Sequence, residues 1–197
     1  MRLLLATENQ GKLREMRELL PPEYEIVLTE EFGFSINAEE SGTTFEENAR
    51  LKAETGCHFT GLPSIADDSG LCVQALGGAP GVRSRRFGSE KLSDKGRNQL
   101  LLKTMDGIEQ REAKFVSVIV CRFTNGDEIT VRGECAGEIA YGAHGENGFG
   151  YDPIFYVPRF GKTLAELTPE QKNEISHRGE AMRLFAEKLE SYMKRND

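Results

Sequence analysis

Hydrophobic residues recur at two spacings along this chain, and the two spacings predict different elements. Short apolar runs at 2–6 and 24–28 are typical of buried strands. Between them, apolar residues repeat on one helix face over 12–20, and the prolines at positions 21 and 22 end that helix. The amino-terminal part of the chain is therefore predicted to form a strand, a loop, a helix and a second strand.

Helical patterns also occur in the middle and at the end of the chain. Thr44 and Glu47 form a capping box, which predicts a helix that runs to about Cys57. Leucine and methionine spacing predicts a third helix over 89–105. A last helix is predicted to begin near Ser176. Its core positions are Met182, Phe185, Leu189, Tyr192 and Met193.

Alternating apolar and polar residues predict a long two-stranded arm. Residues 113–123 and 128–139 alternate, and the Asn-Gly-Asp sequence at 125–127 is a hairpin turn signal. A further strand is predicted at 153–157. Because the arm is antiparallel while the other strands are separated by helices, we expect an α/β fold with a mixed sheet.

Size, charge and cysteine pattern narrow the class of protein. At 197 residues the chain suits one domain, and it shows no linker, repeat or low-complexity tract. The net charge of −7 argues against a nucleic-acid polymer as partner, since such binding relies on clustered Lys and Arg. No apolar run approaches the roughly 20 residues that span a bilayer, and the cysteines lack a C-x-x-C pairing. We therefore expect a cytoplasmic protein with reduced thiols and no membrane partner.

Two adjacent acids, Asp67 and Asp68, follow a short apolar run and precede a Ser-Gly pair. We interpret residues 65–71 as a strand–turn–strand passage with an exposed polar tip. Adjacent side chains point to opposite faces of an extended strand, so one acid should face a cleft and the other should turn inward to accept hydrogen bonds. An acid in this position suits a divalent cation or a proton from water. The alternative is an ordinary surface turn.

The polar loop at 7–12 is a candidate anion site. It precedes the first predicted helix, so it offers backbone N–H groups and the positive end of the helix dipole, with Lys12 beside them. It is not a P-loop, because G-x-x-x-x-G-K-[ST] is absent. The alternative is a solvated helix start.

Two further stretches carry candidate ligand contacts. The glycine-rich loop at 142–152 lets the backbone pass close to a flat ligand, on which Phe149 or Tyr151 can stack. In the first turn of the last helix, His177 and Arg178 lie where the helix dipole disfavours cations. A negative ligand or an acidic neighbour is therefore expected there.

Together these residues supply the parts of a site for a metal-bound nucleotide. Carboxylates bind Mg²⁺, lysines offset phosphate charge, and an aromatic ring stacks on a base. The residues by themselves predict an enzyme that acts on a nucleotide or a sugar phosphate.

Six short motifs cover nearly the whole chain. They are ATENQGK at 6–12, SGTTFEENA at 41–49, ADDSGL at 66–71, LGGAPG at 76–81, GFGYDP at 148–153 and ISHRG at 175–179. In content and order they resemble the motifs of the Ham1/inosine triphosphate pyrophosphatase family. One departure is visible, because the family often has Thr-Gly-Asn where this chain has Thr7, Glu8 and Asn9.

The resemblance implies an activity, a fold and partners. Members of that family hydrolyse non-standard purine nucleoside triphosphates (ITP, dITP and XTP) to the monophosphate and pyrophosphate with Mg²⁺, which removes deaminated purines from the nucleotide pool. Their ITPase-like fold is α/β, with a long curved mixed sheet and flanking helices that form two lobes around a central cleft. The resemblance implies a single such domain over 1–197, and a homodimer.

The resemblance also assigns roles to the matching residues. Asp68 would take the proton from water and bind the metal together with Glu39, Ser69 would contact the substrate, and Phe149 would stack on the purine. The triphosphate would be held by Thr7, Glu8, Asn9, Gln10, Gly11 and Lys12, with Lys52 also offsetting its charge. The base and sugar would be framed by Asp152, Lys172, His177 and Arg178, and Gly150 and Tyr151 would also bind substrate.

Several choices stay open at this point. Strand alternation does not choose between Asp67 and Asp68 as the base, so the assignment of Asp68 rests on the resemblance. One alternative function is a related house-cleaning pyrophosphatase for another base, such as a modified pyrimidine. Another is a non-catalytic nucleotide sensor, whose best support is a basic cluster that suits an interface at 83–86.

Overall fold

The structure, a computed structural model, describes residues 1–33 and 41–196, of which residue 196 contributes its backbone only. Its helices are α1 Gln10–Leu19, α2 Phe45–Thr60, α3 Asp94–Thr104, α4 Pro169–Ile175 and α5 His177–Asn196. Its strands are β1 Arg2–Leu5, β2 Glu25–Leu28, β3 Ser64–Val73, β4 Glu112–Arg122, β5 Glu128–Ile139, β6 Phe155–Val157 and β7 Lys162–Thr163.

Within the described residues, the strands form one sheet in the order β2-β1-β3-β4-β5-β6-β7. β1 is parallel to β2 and to β3, whereas β6 is antiparallel to β5 and to β7. The predicted α/β class with a mixed sheet is therefore confirmed. The cleft that the family resemblance implies stays a prediction.

Helix caps decide where the helices begin. Thr44 and Glu47 form the expected capping box at the start of α2, and this prediction is confirmed. α1 begins two residues earlier than expected because the side chain of Asn9 caps it. α3 begins at Asp94 rather than at residue 89, because Ser93 accepts a hydrogen bond from Gly96 and sets the start of the helix.

The predicted turn at 65–71 is wrong. β3 runs without interruption from Ser64 to Val73, and Asp67 and Asp68 are both buried rather than exposed at a tip. Acids, Ser and Gly are usual in turns, but here cationic partners make it favourable to bury both carboxylates inside a strand.

The carboxy-terminal predictions are largely confirmed. β4 and β5 form the expected arm, closed by the turn in which Gly126 donates to Phe123. β6 is shorter than predicted because Pro153 lies in a 3₁₀ turn at Asp152–Ile154. α5 begins at His177, as expected.

The chain divides into two compact units. Unit 1 comprises Met1–Asp68, Ser117–Gly133 and His177–Asp197, and unit 2 comprises Ser69–Val116 and Glu134–Ser176. Each unit has its own apolar core, the first including Leu3, Met16, Ile119 and Phe185 and the second including Leu71, Met105, Phe155 and Leu164. The predicted core face of α5 is confirmed at Met182, Phe185 and Leu189, which are fully buried.

Two further expectations concern membranes and cysteines. Across the described residues, no helix combines the length and the apolar character needed to cross a membrane. All four cysteines are thiols, as expected. Burial raises the pKa of the Cys121 thiol, which makes it unreactive at neutral pH.

Candidate active site

Among the described residues of unit 1, Asp67 is the most enclosed acid. It is 1% exposed, and its carboxylate forms ion pairs with Lys12 and with Arg178, the latter at 3.4 Å. The hydroxyl of Ser117 donates to the same carboxylate at 2.6 Å. Burial on its own would raise the pKa of Asp67, but the charges of Arg178 and Lys12 outweigh it and hold the pKa well below its ordinary value.

Asp68 has different partners. The ammonium of Lys52 lies 3.0 Å from Oδ1 of Asp68, and the amide of Asn48 donates to Oδ2 at 3.3 Å. Both partners come from α2, where Asn48 and Lys52 are one turn apart. The two adjacent acids thus have different partners, as the alternation of side chains along β3 predicts, while the expectation that one of them faces a cleft stays a prediction.

Lys12 and Lys52 meet at the backbone of the same residue. Lys12 Nζ donates to the carbonyl oxygen of Asp67 at 3.3 Å, and Lys52 Nζ donates to it at 3.1 Å. Burial lowers the pKa of Lys12, Asp67 opposes that shift, and the positive charges of Lys52 and Arg178 add to it. Two ammonium groups are therefore held together beside the two carboxylates.

Arg178 joins Asp67 to a second acid. Its guanidinium forms an ion pair with Glu15 of α1 as well as with Asp67, and Arg178 is 2% exposed. Of the two expectations for the first turn of α5, the acidic neighbour is confirmed. Its neighbour His177 is also buried in unit 1.

These side chains balance one another electrically, with three cations and three acids. We call the set the charge cluster, and it consists of Lys12, Glu15, Lys52, Asp67, Asp68 and Arg178. Glu15, Asn48 and Ser117 were missed by the sequence analysis. A signal existed for Glu15, because it lies three residues after Lys12, and for Asn48, because it lies one turn before Lys52; Ser117 gave none.

The loop at 7–12 is organised by Asn9. The side-chain oxygen of Asn9 accepts from the N–H groups of Gly11 and Lys12 at 2.9 and 3.1 Å, and Thr7 Oγ1 accepts from the Asn9 N–H at 3.2 Å. In this structure the helix-start donors that the sequence offered to an anion are thus used by the cap. Glu8 and Gln10 are exposed.

In unit 2, the contacts of the loop at 148–152 centre on the carboxylate of Asp152. Oδ2 of Asp152 accepts from the Phe149 N–H at 2.8 Å and from Lys172 Nζ at 2.6 Å. Lys172 Nζ also lies 4.8 Å from the centroid of the Phe149 ring, a cation–π distance. We call residues 148–152 the ring loop, since they present the half-buried ring of Phe149.

Glycine is required at the start of the ring loop. Gly148 has φ +75°, and a Cβ there would lie 2.0 Å from Oδ2 of Asp152. Such a contact would displace the carboxylate that holds Phe149 and Lys172. Gly148 therefore allows the close turn on which this group of contacts depends.

The two aromatic candidates differ in exposure, since Phe149 is half-buried and Tyr151 is buried. Tyr151 is buried, and its hydroxyl donates to the carbonyl oxygen of Ser84 at 2.8 Å. Burial raises the pKa of the Tyr151 phenol, with the charge of Arg97 opposing the shift. Tyr151 is therefore part of the support of the ring loop.

Two predicted site residues remain. Ser69, directly after Asp68 in β3, is half-buried. Glu39, the predicted second metal ligand, lies outside the described residues. Among residues 1–33 and 41–196, no group of three or more His, Cys, Asp or Glu side chains is arranged to hold a metal ion. Of the two predicted ligands, Asp68 is the one that lies within these residues.

Acids paired with lysines on a mixed α/β sheet are typical of proteins that bind phosphorylated ligands. Comparison with known proteins then identifies the family. The Ham1 family model matches residues 3–188, and the chain belongs to that family.

Curated relatives and solved structures match this chain over nearly its full length. A dITP/XTP pyrophosphatase of Exiguobacterium is 44% identical over 195 residues, covering 98% of this chain and all of that protein. One from Desulforamulus reducens is 48% identical over 192 residues, with 96% of each chain covered. Among structures, a HAM1 protein from Coxiella burnetii superposes with a TM-score of 0.90 at 42% identity, covering 97% of this chain and 99% of that one. The Staphylococcus aureus Ham1 protein gives 0.89 at 42% identity, with 98% and 100% covered.

Proposed function

We propose that this protein hydrolyses non-standard purine nucleoside triphosphates (ITP, dITP and XTP) to the nucleoside monophosphate and pyrophosphate. Relatives that match nearly the whole chain are named dITP/XTP pyrophosphatases. The observation in the molecule that carries the proposal is the contrast within β3, where Asp67 is bound by two cations while the adjacent Asp68 lies beside Lys52 and Asn48.

The phosphate chemistry is assigned to the charge cluster. A triphosphate brings several negative charges, which Lys12 and Lys52 would offset. Carboxylate oxygens suit Mg²⁺, which is commonly bound by one or two carboxylates together with substrate phosphates. Asp68 fits that chemistry, and Asp68 with Glu39 would hold the ion. Bound Mg²⁺ supplies positive charge that stabilises the developing negative charge on the phosphates.

Asp68 is assigned as the general base. Its carboxylate accepts a proton from water as the water oxygen forms a bond to the α-phosphorus. The bond from the α-phosphorus to the bridging oxygen breaks at the same time, and pyrophosphate leaves with that electron pair. Asp67 is a poor candidate for this step, because Lys12, Arg178 and Ser117 already bind its carboxylate. No covalent intermediate is required, and Ser69 is assigned to substrate contact.

The recognition of the base is assigned to the ring loop. Phe149 would stack on the purine, and Lys172, which has three donors and no acceptor, suits the 6-oxo group of inosine or xanthine. The amino group of adenine is itself a donor, so it would not accept from the ammonium group. Lys172 would keep its contact with Asp152, but its hydrogen bond to the base would be lost. A hydrogen bond to a charged group is worth about 1.5–3 kcal/mol, which corresponds to roughly 10–100-fold in selectivity.

Two further assignments follow the family resemblance. The loop at 7–12 would bind the triphosphate, and His177 and Arg178 would contact the base and the sugar. Binding by Arg178 would compete with its ion pairs to Glu15 and Asp67.

The homodimer and the cytoplasmic location are also proposals, and light scattering of the purified protein tests the dimer.

The function is tested by product analysis with a panel of substrates. Purified protein with Mg²⁺ is incubated with ITP, XTP, dITP, ATP or dTTP, and monophosphate and pyrophosphate are quantified. We expect IMP and pyrophosphate from ITP and much slower turnover of ATP. In isotopically labelled water, the label should enter IMP and not pyrophosphate.

Each alternative predicts a different result in that panel. Equal rates on dTTP and dITP would favour a pyrophosphatase with another base preference. Tight binding of ITP without release of IMP would favour a nucleotide sensor.

A further inference from the structure

Two residues at the beginning of α3 bind the backbone of Gly150 in the ring loop, one at its N–H and the other at its carbonyl oxygen. The N–H of Gly150 donates to Oδ2 of Asp94 at 3.0 Å. Its carbonyl oxygen accepts from Nδ2 of Asn98 at 3.0 Å. Asp94 and Asn98 are four residues apart, so they lie on the same face of the helix, one turn from each other. Together they bind the backbone of Gly150 from a single rigid element.

The helix turn that makes these contacts is itself well anchored. Ser93 caps α3, and Arg97 donates to the other oxygen of Asp94, Oδ1, at 2.7 Å. Arg97 and Asn98 are 7% and 6% exposed. Burial on its own would raise the pKa of Asp94, but the hydrogen bonds from Arg97 and from the Gly150 N–H outweigh it and lower the pKa. Asp94 is therefore a carboxylate at neutral pH and a good acceptor.

The loop needs such support because of its glycines. Gly148 and Gly150 have φ values of +75° and +62°, and glycine has more backbone freedom to lose than any other residue. Phe149 lies between them. The N–H of Phe149 and the ammonium of Lys172 both bind Asp152, so a shift of the backbone at Gly150 would move the aromatic ring relative to that carboxylate.

We propose that Asp94 and Asn98 are positioning residues for base selection, which fix the peptide groups of Gly150 and thereby the ring of Phe149 beside Lys172. This inference rests on the proposed function for the identity of the ligand. Neither residue belongs to the six motifs that carry the family resemblance.

The kinetic test uses Asp94→Ala and Asn98→Asp, the second of which places an acceptor against the Gly150 carbonyl oxygen. We expect the KM for ITP to rise about tenfold and the preference for ITP over ATP to fall, with kcat within about threefold of the parent. Asp94→Asn keeps an oxygen acceptor and should restore most of the affinity. The matched control is Asp106→Ala, an exposed aspartate beyond the other end of α3, which should behave like the parent.

A second measurement separates this inference from the proposed function. Hydrogen exchange of the amides at 149–152 is followed in the same variants without any nucleotide. Faster exchange in Asp94→Ala and Asn98→Asp than in Asp106→Ala, at an unchanged thermal midpoint, supports the positioning role. Exchange equal to that of the control, or a loss of kcat with KM and the ITP preference unchanged, overturns it. A parent protein that leaves ITP intact would instead refute the proposed function, whatever the exchange shows.

Discussion

The charge cluster of unit 1 and the ring loop of unit 2 differ in the interactions that stabilise them. In the charge cluster, three cations and three acids come from regular strands and helices, and ion pairs join them. In the ring loop, hydrogen bonds from the backbone to the carboxylates of Asp152 and Asp94 organise a segment with glycine on both sides of an aromatic ring.

This difference suits the two regions to the two parts of a nucleotide that the proposed function assigns to them. Buried ions held by rigid elements cost no reorganisation when phosphate charge moves, which is the general requirement for electrostatic catalysis. A base carries no charge, so its recognition depends on shape, stacking and a few donors. The comparison predicts that substitutions in the charge cluster change rate or stability, whereas substitutions in the ring loop change affinity and selectivity.

The largest effect is expected for Asp68→Asn. Loss of the general base should lower kcat for ITP by about 10³-fold or more, while the fold is kept because the amide retains the shape of the carboxylate. Steady-state kinetics and thermal unfolding measure the two properties. Asp106→Asn is the control, and turnover by Asp68→Asn near the parent rate would show that the base is misassigned.

Asp67→Asn should instead lower the free energy of unfolding. It leaves Arg178 and Lys12 without the carboxylate that pairs with both, and breaking a buried pair costs about 3–5 kcal/mol. Urea denaturation of the parent, Asp67→Asn and Asp106→Asn measures the free energy of unfolding. A loss no larger than that of the exposed control would contradict the structural role of Asp67.

Phe149→Leu should weaken binding with a smaller effect on turnover. Stacking on a base is worth about 1–3 kcal/mol, so we expect the KM for ITP to rise about tenfold while kcat changes by less than about threefold. Phe149→Tyr should stay close to the parent, because the ring is kept. The same substitution at the half-buried Phe160 is the control, and an equal effect there would refute a specific role for Phe149.

The smallest effect is the pH dependence that Asp67 contributes. Its pKa is lower in the folded protein than its ordinary value of about 3.9, so it binds a proton more weakly when folded. Its stabilisation is complete above about pH 4 and is lost as the pH falls through the folded pKa. The difference in unfolding free energy between the parent and Asp67→Asn should therefore shrink below pH 4; a difference that grows there would contradict this linkage.

Local patterns predicted much of the fold. The capping box at Thr44, the hairpin at 125–127 and the apolar face of α5 each depend on residues close together in sequence, and each is present. Of the site residues, Asp68 and Phe149 lie in the six motifs, and the family resemblance also assigned roles to Lys52 and Lys172. Alternation along a strand was enough to predict that Asp67 and Asp68 differ.

Partners from distant segments could not be predicted in the same way. The sequence 65–71 has the composition of a turn, and only Lys12, Lys52 and Arg178 make its burial in a strand favourable. Ser117 gave no sign of its partner Asp67, and the pairing of Glu15 with Arg178 could not be predicted, since these partners lie 50 and 163 residues apart. The support of Gly150 by α3 depends in the same way on a contact across more than 50 residues.

The difference in role between the charge cluster and the ring loop is tested most directly by the same substitution at two lysines, Lys52 in the charge cluster and Lys172, which contacts Asp152 and Phe149 of the ring loop. Lys52→Met and Lys172→Met, each verified as folded by circular dichroism, are compared by the ratio of kcat/KM for ITP to that for ATP. We expect Lys52→Met to lower both values by the same factor and to keep the ratio, and Lys172→Met to lower the ratio by about tenfold or more. A ratio that changes with Lys52→Met and stays constant with Lys172→Met would contradict this expectation.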